Sequence, residues 1–574
     1  MDFCRLNINS NTIALFQEKF EGSYTNANEI LKNQTGIVDF FENETDFIQL
    51  KKTLEINHSF IAENRIEYGD FQTNQQLSMA VCSYLVDKTI NPRILIEPTC
   101  GKGSFILSAI QSFANLEQVY GIEIQESYLW ELKFSLLDYF MKNPEVNKPE
   151  IRLFHCSVFD FDFGQIEMQI NNKELLVIGN PPWVTNSTLS AINSNNLPVK
   201  SNFKKKKGID AITGKGNFDI GEFIALKMLD LFANKNGHFA FLIKNSVIKN
   251  IVYEQKRNKY PISNIEKHTI NAQKEFGAAV DASLLVCKFN TTPELTAKEY
   301  DFYTSKHQTT LGWVKDKFAS DTEKYSQYSN FDGICPFVWR QGIKHDCSKV
   351  MELEKIDNHF RNALGEEFEL EEDLIYGLLK SSDLKGNKIE KSRKYTIVTQ
   401  QKVGQETQSV LEKLPKTRSY LESHKEYFLK RKSSIYNGKP MFSIFGVGDY
   451  SFKTYKVAIS GLYKQTEFTL VDPSESILML DDTCYFIGFD LLPDAIITQF
   501  LLNKPDTQEF IASFMFTDAK RAITKELLMR IDLKKIIEQT NYEDLKGLNI
   551  SLHQWERYLS RLKNQAKEQL NLFA

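Results

Sequence analysis

The sequence predicts an α/β fold for residues 66–292, a parallel sheet with helices on both faces. Three observations carry that prediction. Short apolar runs alternate with amphipathic segments from about residue 66 to 290. The run Leu175-Leu176-Val177-Ile178 reads as a buried strand and stops at Asn180-Pro181-Pro182-Trp183. Glycines 101 and 103 lie between an apolar run and a helical pattern, where a tight turn belongs.

The elements follow in order. Residues 1–65 read as a helical segment, from runs such as Ile13-Ala14-Leu15-Phe16 and Ile48-Gln49-Leu50, and carry no chemical motif. The alternation then predicts helix Gln75–Thr89, strand Arg93–Glu97, helix Gly103–Ser112, strand Gln118–Ile124 and helix Ser127–Met141. Strands Ile151–His155 and Leu175–Gly179, helix Phe218–Ala233, and strands His238–Lys244 and Ser283–Phe289 complete it. It breaks near Asn290-Thr291-Thr292-Pro293. Residues 293–574 read as a mixed α+β region. Its short aromatic strands are Tyr395–Thr399, Tyr455–Ser460, Glu467–Val471 and Cys484–Phe489, with helices Thr407–Lys413 and Pro493–Leu502 and a polar amphipathic helix at Asn549–Phe573. The sequence holds no internal repeat and no low-complexity tract.

Composition bounds the function classes. At 574 residues the chain has room for roughly three to four units of ~150 residues, or two larger ones. With 42% hydrophobic and 25% charged residues it is globular. No apolar stretch reaches the ~18 residues of a membrane span. Met1-Asp2-Phe3-Cys4-Arg5 lacks a basic leader followed by an apolar segment, so a cytoplasmic location is expected. The eight cysteines are scattered singly, without zinc spacing, which predicts free thiols and no metal. A net charge of −4 does not advertise nucleic acid, but a local basic cleft on an acidic protein suffices to bind it.

The tetrapeptide is the most informative feature. Two prolines cannot continue a ladder, so the strand ends there. In open α/β sheets ligands bind at that edge. Asn180 Oδ1 and a backbone carbonyl can accept two hydrogen bonds from an exocyclic amino group, and the Trp183 ring can stack on the flat molecule that carries it. This is a pocket for a planar amine such as adenine. In Glu97-Pro98-Thr99-Cys100-Gly101-Lys102-Gly103 the acid ahead of the glycines argues against phosphate and for a cationic group. The helix that follows offers its N-terminus to a carboxylate. The turn lacks both the third glycine of a dinucleotide fingerprint and the Gly-Lys-Ser/Thr of a phosphate loop. Glu123, at the next strand end, is placed to accept two ribose hydroxyls. Asp160 follows a third strand as an acceptor for an adenine amino group, with Asp162 as its competitor.

Taken in order, Gly69-Asp70-Phe71-Gln72-Thr73, Glu97 with Gly101-Lys102-Gly103, Glu123, Asp160 and Asn180-Pro181-Pro182-Trp183 resemble the gamma class of amino-methylating DNA methyltransferases of bacterial restriction–modification systems. The resemblance covers residues 65–290 and is specific because five motifs recur in the family's order. It implies a Rossmann-like class I methyltransferase sheet, with a target-recognition region in residues 293–574. It also implies S-adenosylmethionine as cofactor. The amino-acid end of the cofactor would sit near Thr73, Glu97 and the Gly101–Gly103 turn, with Pro98, Thr99, Asn180 and Pro182 as further cofactor-binding residues. The ribose would meet Glu123, and the adenine Asp160 and Ile124. Glu97 stands where Asp is commoner in the family. Asn217-Phe218-Asp219-Ile220 opens a helix beside the cofactor, and Phe276 resembles the aromatic position that contacts an extrahelical base. The implied catalytic set is Asn180, Pro181, Pro182, Trp183 and Phe276.

The implied reaction is methylation of adenine N6 in duplex DNA, protecting it from a separate restriction endonuclease. Alternatives are cytosine N4, where Ser is commoner at the first position of the tetrapeptide, the methylating half of a bifunctional restriction enzyme, RNA, and a protein glutamine. Lys204, Lys205, Lys206 and Lys207 lie in a long polar loop after the tetrapeptide and are candidate phosphate contacts. Arg340, in Trp339-Arg340-Gln341, is a further DNA candidate, beside Lys425…Lys430-Arg431-Lys432 and Tyr450…Phe452-Lys453.

Overall fold

The computed structural model describes residues 15–16, 23–55, 72–170, 172–184, 219–278, 280–464, 466–518 and 521–573. The chain divides into two units, Met1–Trp313 and Val314–Ala574. In the first, the strands are β1 (Ile94–Glu97), β2 (Gln118–Glu123), β3 (Glu150–His155), β4 (Leu175–Gly179), β5 (Gly237–Lys244), β6 (Ile262–Ile270), β7 (Ala282–Phe289), β8 (Thr296–Asp301) and β9 (His307–Val314). They lie in the order β3-β2-β1-β4-β5-β7-β6-β8-β9. Neighbours among β1–β5 are parallel, and β7 runs antiparallel to both β5 and β6. This is the class I methyltransferase sheet.

The central strands explain the sheet. Ile94–Ile96, Leu175–Ile178 and Phe239–Ile243 are buried throughout. Such runs are stable only where helices cover both faces. The helices are α1 (Tyr24–Thr35), α2 (Glu44–Glu55), α3 (Gln75–Asp87), α4 (Ser104–Ser112), α5 (Glu126–Lys142), α6 (Gly164–Ile170), α7 (Ile220–Phe232), α8 (Asn245–Asn258) and α9 (Ala272–Phe276). Asn74 caps α3 by accepting from the Leu77 N–H (2.8 Å). Apolar residues of α1 and α5 join the same core, where Phe40, Phe41, Trp130 and Phe134 meet edge to face or tilted.

Two predicted features differ. Strand β6 and helix α8 lie between His238–Lys244 and Ser283–Phe289, where the sequence reading placed no element. Strand β6 hides its alternation because Lys267 and His268 are buried, Lys267 paired with Glu299 (3.0 Å). Helix α8 is polar but for Val247, Ile248, Ile251 and Val252, which are buried. The break near Asn290 ends the alternation but not the unit. Asn290 turns the chain at φ 54°, and β8 then pairs in parallel with β6. The first unit therefore runs to Trp313.

The second unit holds a five-stranded sheet, which contains Tyr455–Ser460, Thr469–Val471 and Cys484–Phe489, and a six-stranded sheet, which contains Ile375–Leu379 and Lys394–Ile397. Helices Leu492–Leu502 and Leu552–Phe573 contribute to its core through residues such as Ile497, Leu501, Trp555 and Tyr558. Asp494, buried on the first of these, accepts from Arg557 (2.8 Å) and Arg561 on the second. No helix among the described residues is long and apolar enough to cross a membrane.

Candidate active site at the switch point of the sheet

The chain passes from β3 on one side of β1 to β4 on the other. Connections diverge at such a switch point and leave a crevice above the strand ends. One cavity occupies it. Its lining comes from the segment before α3 (Gln72, Thr73), the turn after β1 (Pro98–Gly101), the end of β2 (Ile122–Gln125) and the segment after β3 (Cys156, Val158, Phe159). Asn180–Pro182 and Val184 after β4, Tyr128 on α5, and Ile220 and Ile224 on α7 complete it.

Local geometry follows from residue type. Gly101 adopts φ 51° and Gly103 φ 79°, both left-handed, where a side chain is strained. A Cβ at Gly103 would stand 2.0 Å from Leu132 Cδ1, so this glycine packs the turn onto α5 and does not line the cavity. The turn is held by Glu123. Its Oε2 accepts from the Gly101 N–H and its Oε1 from the Gln125 N–H, each at 2.8 Å. That carboxylate is buried yet lines the cavity.

Glu97 ends β1 immediately before the turn that lines the cavity; it is 3% exposed and is not itself part of the lining. The Ile106 N–H donates to it, but its Oε2 has no partner among the described residues. Burial first, and the nearby Glu123 carboxylate second, push its pKa well above the usual carboxylate range. Thr99 Oγ1, on the cavity wall, is also buried without a partner. Of the two, Thr99 lines the cavity and Glu97 does not; a buried acceptor without a partner suits a cationic group.

Asn180 and Thr73, 107 residues apart, meet here: Asn180 Nδ2 donates to Thr73 Oγ1 at 3.2 Å. In that orientation the amide donates through Nδ2 and accepts through Oδ1. The Thr73 carbonyl accepts from Ser104 Oγ at the start of α4 (2.7 Å). Trp183 is 5% exposed, and its Nε1–H donates to the Leu242 carbonyl (3.3 Å). Its ring meets that of Phe276 edge-on, centroids 4.9 Å apart at 69°. At that exposure a flat molecule can reach the face of the indole only after neighbouring side chains move. Asp219 caps α7 by accepting from the Gly221 N–H (3.0 Å) and also accepts from Lys244 Nζ (2.6 Å).

The structure brings Thr73, Pro98, Thr99, Gly101, Glu123, Ile124, Asn180, Pro181 and Pro182 to one cavity. Glu97, Trp183 and Phe276 are not part of its lining, and neither is Asp160. The Asp160 N–H bonds the Ser157 carbonyl (3.0 Å), and that turn carries its side chain into solvent, beside Asp39, Glu42 and Asp162. Cys156, Val158 and Phe159 line the cavity in its stead. Sequence reasoning also missed Gln125 and Tyr128. The available signal was their place within a few residues of Glu123, where a chain leaving a parallel strand faces the crevice. Lys204–Lys207, Gly69–Phe71, Asn217 and Phe218 lie outside the described residues. In the second unit Trp339 is fully buried, whereas Arg340 is exposed and lies over the Tyr450 ring, 4.7 Å from its centroid. Arg431 is spent on the fold: it donates to the Ser443 and Met441 carbonyls (2.7 and 2.8 Å).

Comparison with known proteins adds an independent line. The chain is 40% identical over 485 residues to the type II methyltransferase M.NspV of Nostoc sp. (strain ATCC 29411 / PCC 7524), a match that spans 83% of this chain and 98% of that protein. It is 23% identical over 237 residues to the type II methyltransferase M.VspI of Vibrio sp. (strain 343), spanning 40% of this chain and 52% of that one. Among solved structures, the type IIL restriction-modification enzyme MmeI in complex with DNA aligns over 96% of this chain and 77% of its own, with 14% identity and a TM-score of 0.48. No family model matches.

Proposed function

The chain belongs to the type II methyltransferases, DNA methyltransferases of restriction–modification systems, and from that membership we propose that its first unit methylates the N6 amino nitrogen of adenine in duplex DNA. The observation that carries this reading is the convergence of Asn180-Pro181-Pro182 with Thr73, Gly101 and Glu123 on one cavity. The donor is S-adenosylmethionine, which supplies a methyl group already activated on a sulfonium. The residues fit it. Glu97, buried with an unpartnered oxygen, meets its ammonium group. The turn at Thr99–Gly101 that leads into α4 takes its carboxylate. Glu123, at the end of β2 on the cavity wall, takes its ribose hydroxyls. Ile124 and Phe159 flank its base.

Asn180 Oδ1 and the Pro181 carbonyl act on the target amine. Its lone pair is delocalised into the ring and attacks only when the nitrogen becomes tetrahedral. Two acceptors that hold the two hydrogens favour that geometry and the positive charge that develops with it. No strong base is needed, and orientation supplies much of the rate. A base inside a duplex must first leave the stack, at a cost of a few kcal/mol. Stacking on Trp183 and contact with Phe276 offset part of this, ~1–3 kcal/mol on the scale of base–aromatic contacts. Asn at position 180 favours adenine over cytosine N4, where Ser is commoner. The second unit serves as the recognition module, with Arg340 among its DNA contacts, and a separate endonuclease of the same system is the expected partner.

The reading is tested by offering labelled cofactor with duplex DNA, RNA and protein. Label is expected in duplex DNA. Label confined to RNA or protein overturns the reading.

A further inference from the structure

We propose that Glu275 is a positioning residue for the methyl transfer, closing a ring of contacts between the cofactor wall and the aromatic pair. The inference rests on the reading of Asn180, Trp183 and Phe276 given above. The ring can be followed bond by bond. Asn180 donates to Thr73 (3.2 Å). The next residue, Asn74, uses Oδ1 to cap α3 and Nδ2 to donate to Glu275 Oε2 (3.1 Å). Glu275 precedes Phe276, whose ring meets Trp183 at 4.9 Å. Pro182 and Pro181 lead back to Asn180.

The other oxygen, Glu275 Oε1, accepts from the Tyr303 hydroxyl (2.9 Å). Lys274 Nζ lies 4.0 Å from the same atom, but that side chain is 72% exposed and Glu275 only 11%. The carboxylate thus ties the one-turn helix α9 to α3 on one side and to the β8–β9 connection on the other. Gly277 closes the helix at φ +67° with open space beside it, and the helix reaches the core through the small residues Ala272 and Ala278 and the Phe276 ring, so the Glu275 bonds are its polar ties to the neighbouring elements. Loss of the tie lets Phe276 drift from Trp183 while Thr73 and Glu123 stay in place. The cost falls on turnover, not on cofactor affinity.

Three variants of the full chain test this, with kcat and cofactor Kd measured for each. Glu275→Ala lowers kcat about tenfold, the loss expected for charge-assisted hydrogen bonds at a partly exposed site. Asn74→Asp keeps the cap on α3, since Asp and Asn cap equally well, but sets a carboxylate against Glu275 and lowers kcat by a similar factor. Asn74→Asp combined with Glu275→Gln reverses the polarity of that hydrogen bond, with the glutamine amide donating and its oxygen still accepting from Tyr303. The pair restores kcat to within about twofold of wild type. Cofactor Kd stays within about twofold throughout. An active wild type beside a Glu275→Ala variant of unchanged kcat overturns the inference alone, as does a double variant no better than Asn74→Asp. Loss of cofactor affinity in step with kcat also overturns it, since that marks general damage to the fold. A wild type that transfers no methyl group overturns the reading beneath it and the inference with it.

Discussion

Glu97 poses the sharpest charge problem in the first unit. Its carboxyl is buried, close to Glu123, and titrates well above its ordinary value of 4.5. The sign of the consequence follows from linkage. Between 4.5 and the raised value the folded chain holds a proton that the unfolded chain has released. Stability of the cofactor-free chain therefore falls as pH rises, by about 1.4 kcal/mol per pH unit across that window. Glu97→Gln is expected to raise the thermal midpoint at pH 8, with a gain that vanishes toward pH 4.5, and to weaken cofactor binding at least tenfold. A variant whose midpoint shows the same pH slope as wild type would count against this assignment. At this scale the sequence was legible where the chemistry is local. Glu97, Glu123 and Asn180 stand at strand ends, and a strand end can be read from an apolar run and a breaker. Asp160 was misjudged because spacing from a strand does not reveal the turn at Ser157 that carries its side chain into solvent.

Among the elements, α3 and β6 are joined by a polar cluster that takes no part in the cavity lining. Glu266 on β6 accepts from Lys88 Nζ (3.0 Å) and from the Tyr84 hydroxyl, and His268 Nε2 lies 3.1 Å away. Burial alone would raise its pKa, but the hydrogen bonds from His268, Tyr84 and Lys88 prevail and bring it to about 2. The sign is opposite to that of Glu97. The stabilisation is present above the unfolded value near 4.5 and is lost as pH falls toward 2. Glu266→Gln is expected to cost about 2–3 kcal/mol at neutral pH and to flatten acid unfolding between pH 4.5 and 2, followed by circular dichroism. An unchanged acid midpoint would contradict it. This cluster also explains why β6 escaped sequence reading: Glu266, Lys267 and His268 are a polar triplet that becomes strand only through partners on α3 and β8. The parallel strands β1, β4 and β5 were legible because burial on both faces demands unbroken apolar runs.

The whole molecule comprises two units, each with its own apolar core. The cavity lining lies entirely in the first. A chain ended after Trp313 is therefore expected to bind cofactor with an affinity within a few fold of the full chain, and to lose site-specific methylation of DNA. Calorimetry and a methylation assay on the two chains check this, and a shortened chain that still methylates its site would remove the recognition role from residues 314–574. The second unit was the less legible half. Its strands were partly foreseen, but its sheets join segments distant in sequence, such as Ile375–Leu379 beside Leu478–Leu480. No local pattern encodes such a pairing. The central claim, that Asn180 and Pro181 present an adenine amino group to the donor, is tested most directly by mass spectrometry of nucleosides. DNA treated with labelled cofactor should yield labelled N6-methyladenine with the wild-type chain and none with Asn180→Ala, while that variant still binds cofactor. Label in N4-methylcytosine, or an Asn180→Ala variant that turns over at the wild-type rate, would contradict the account.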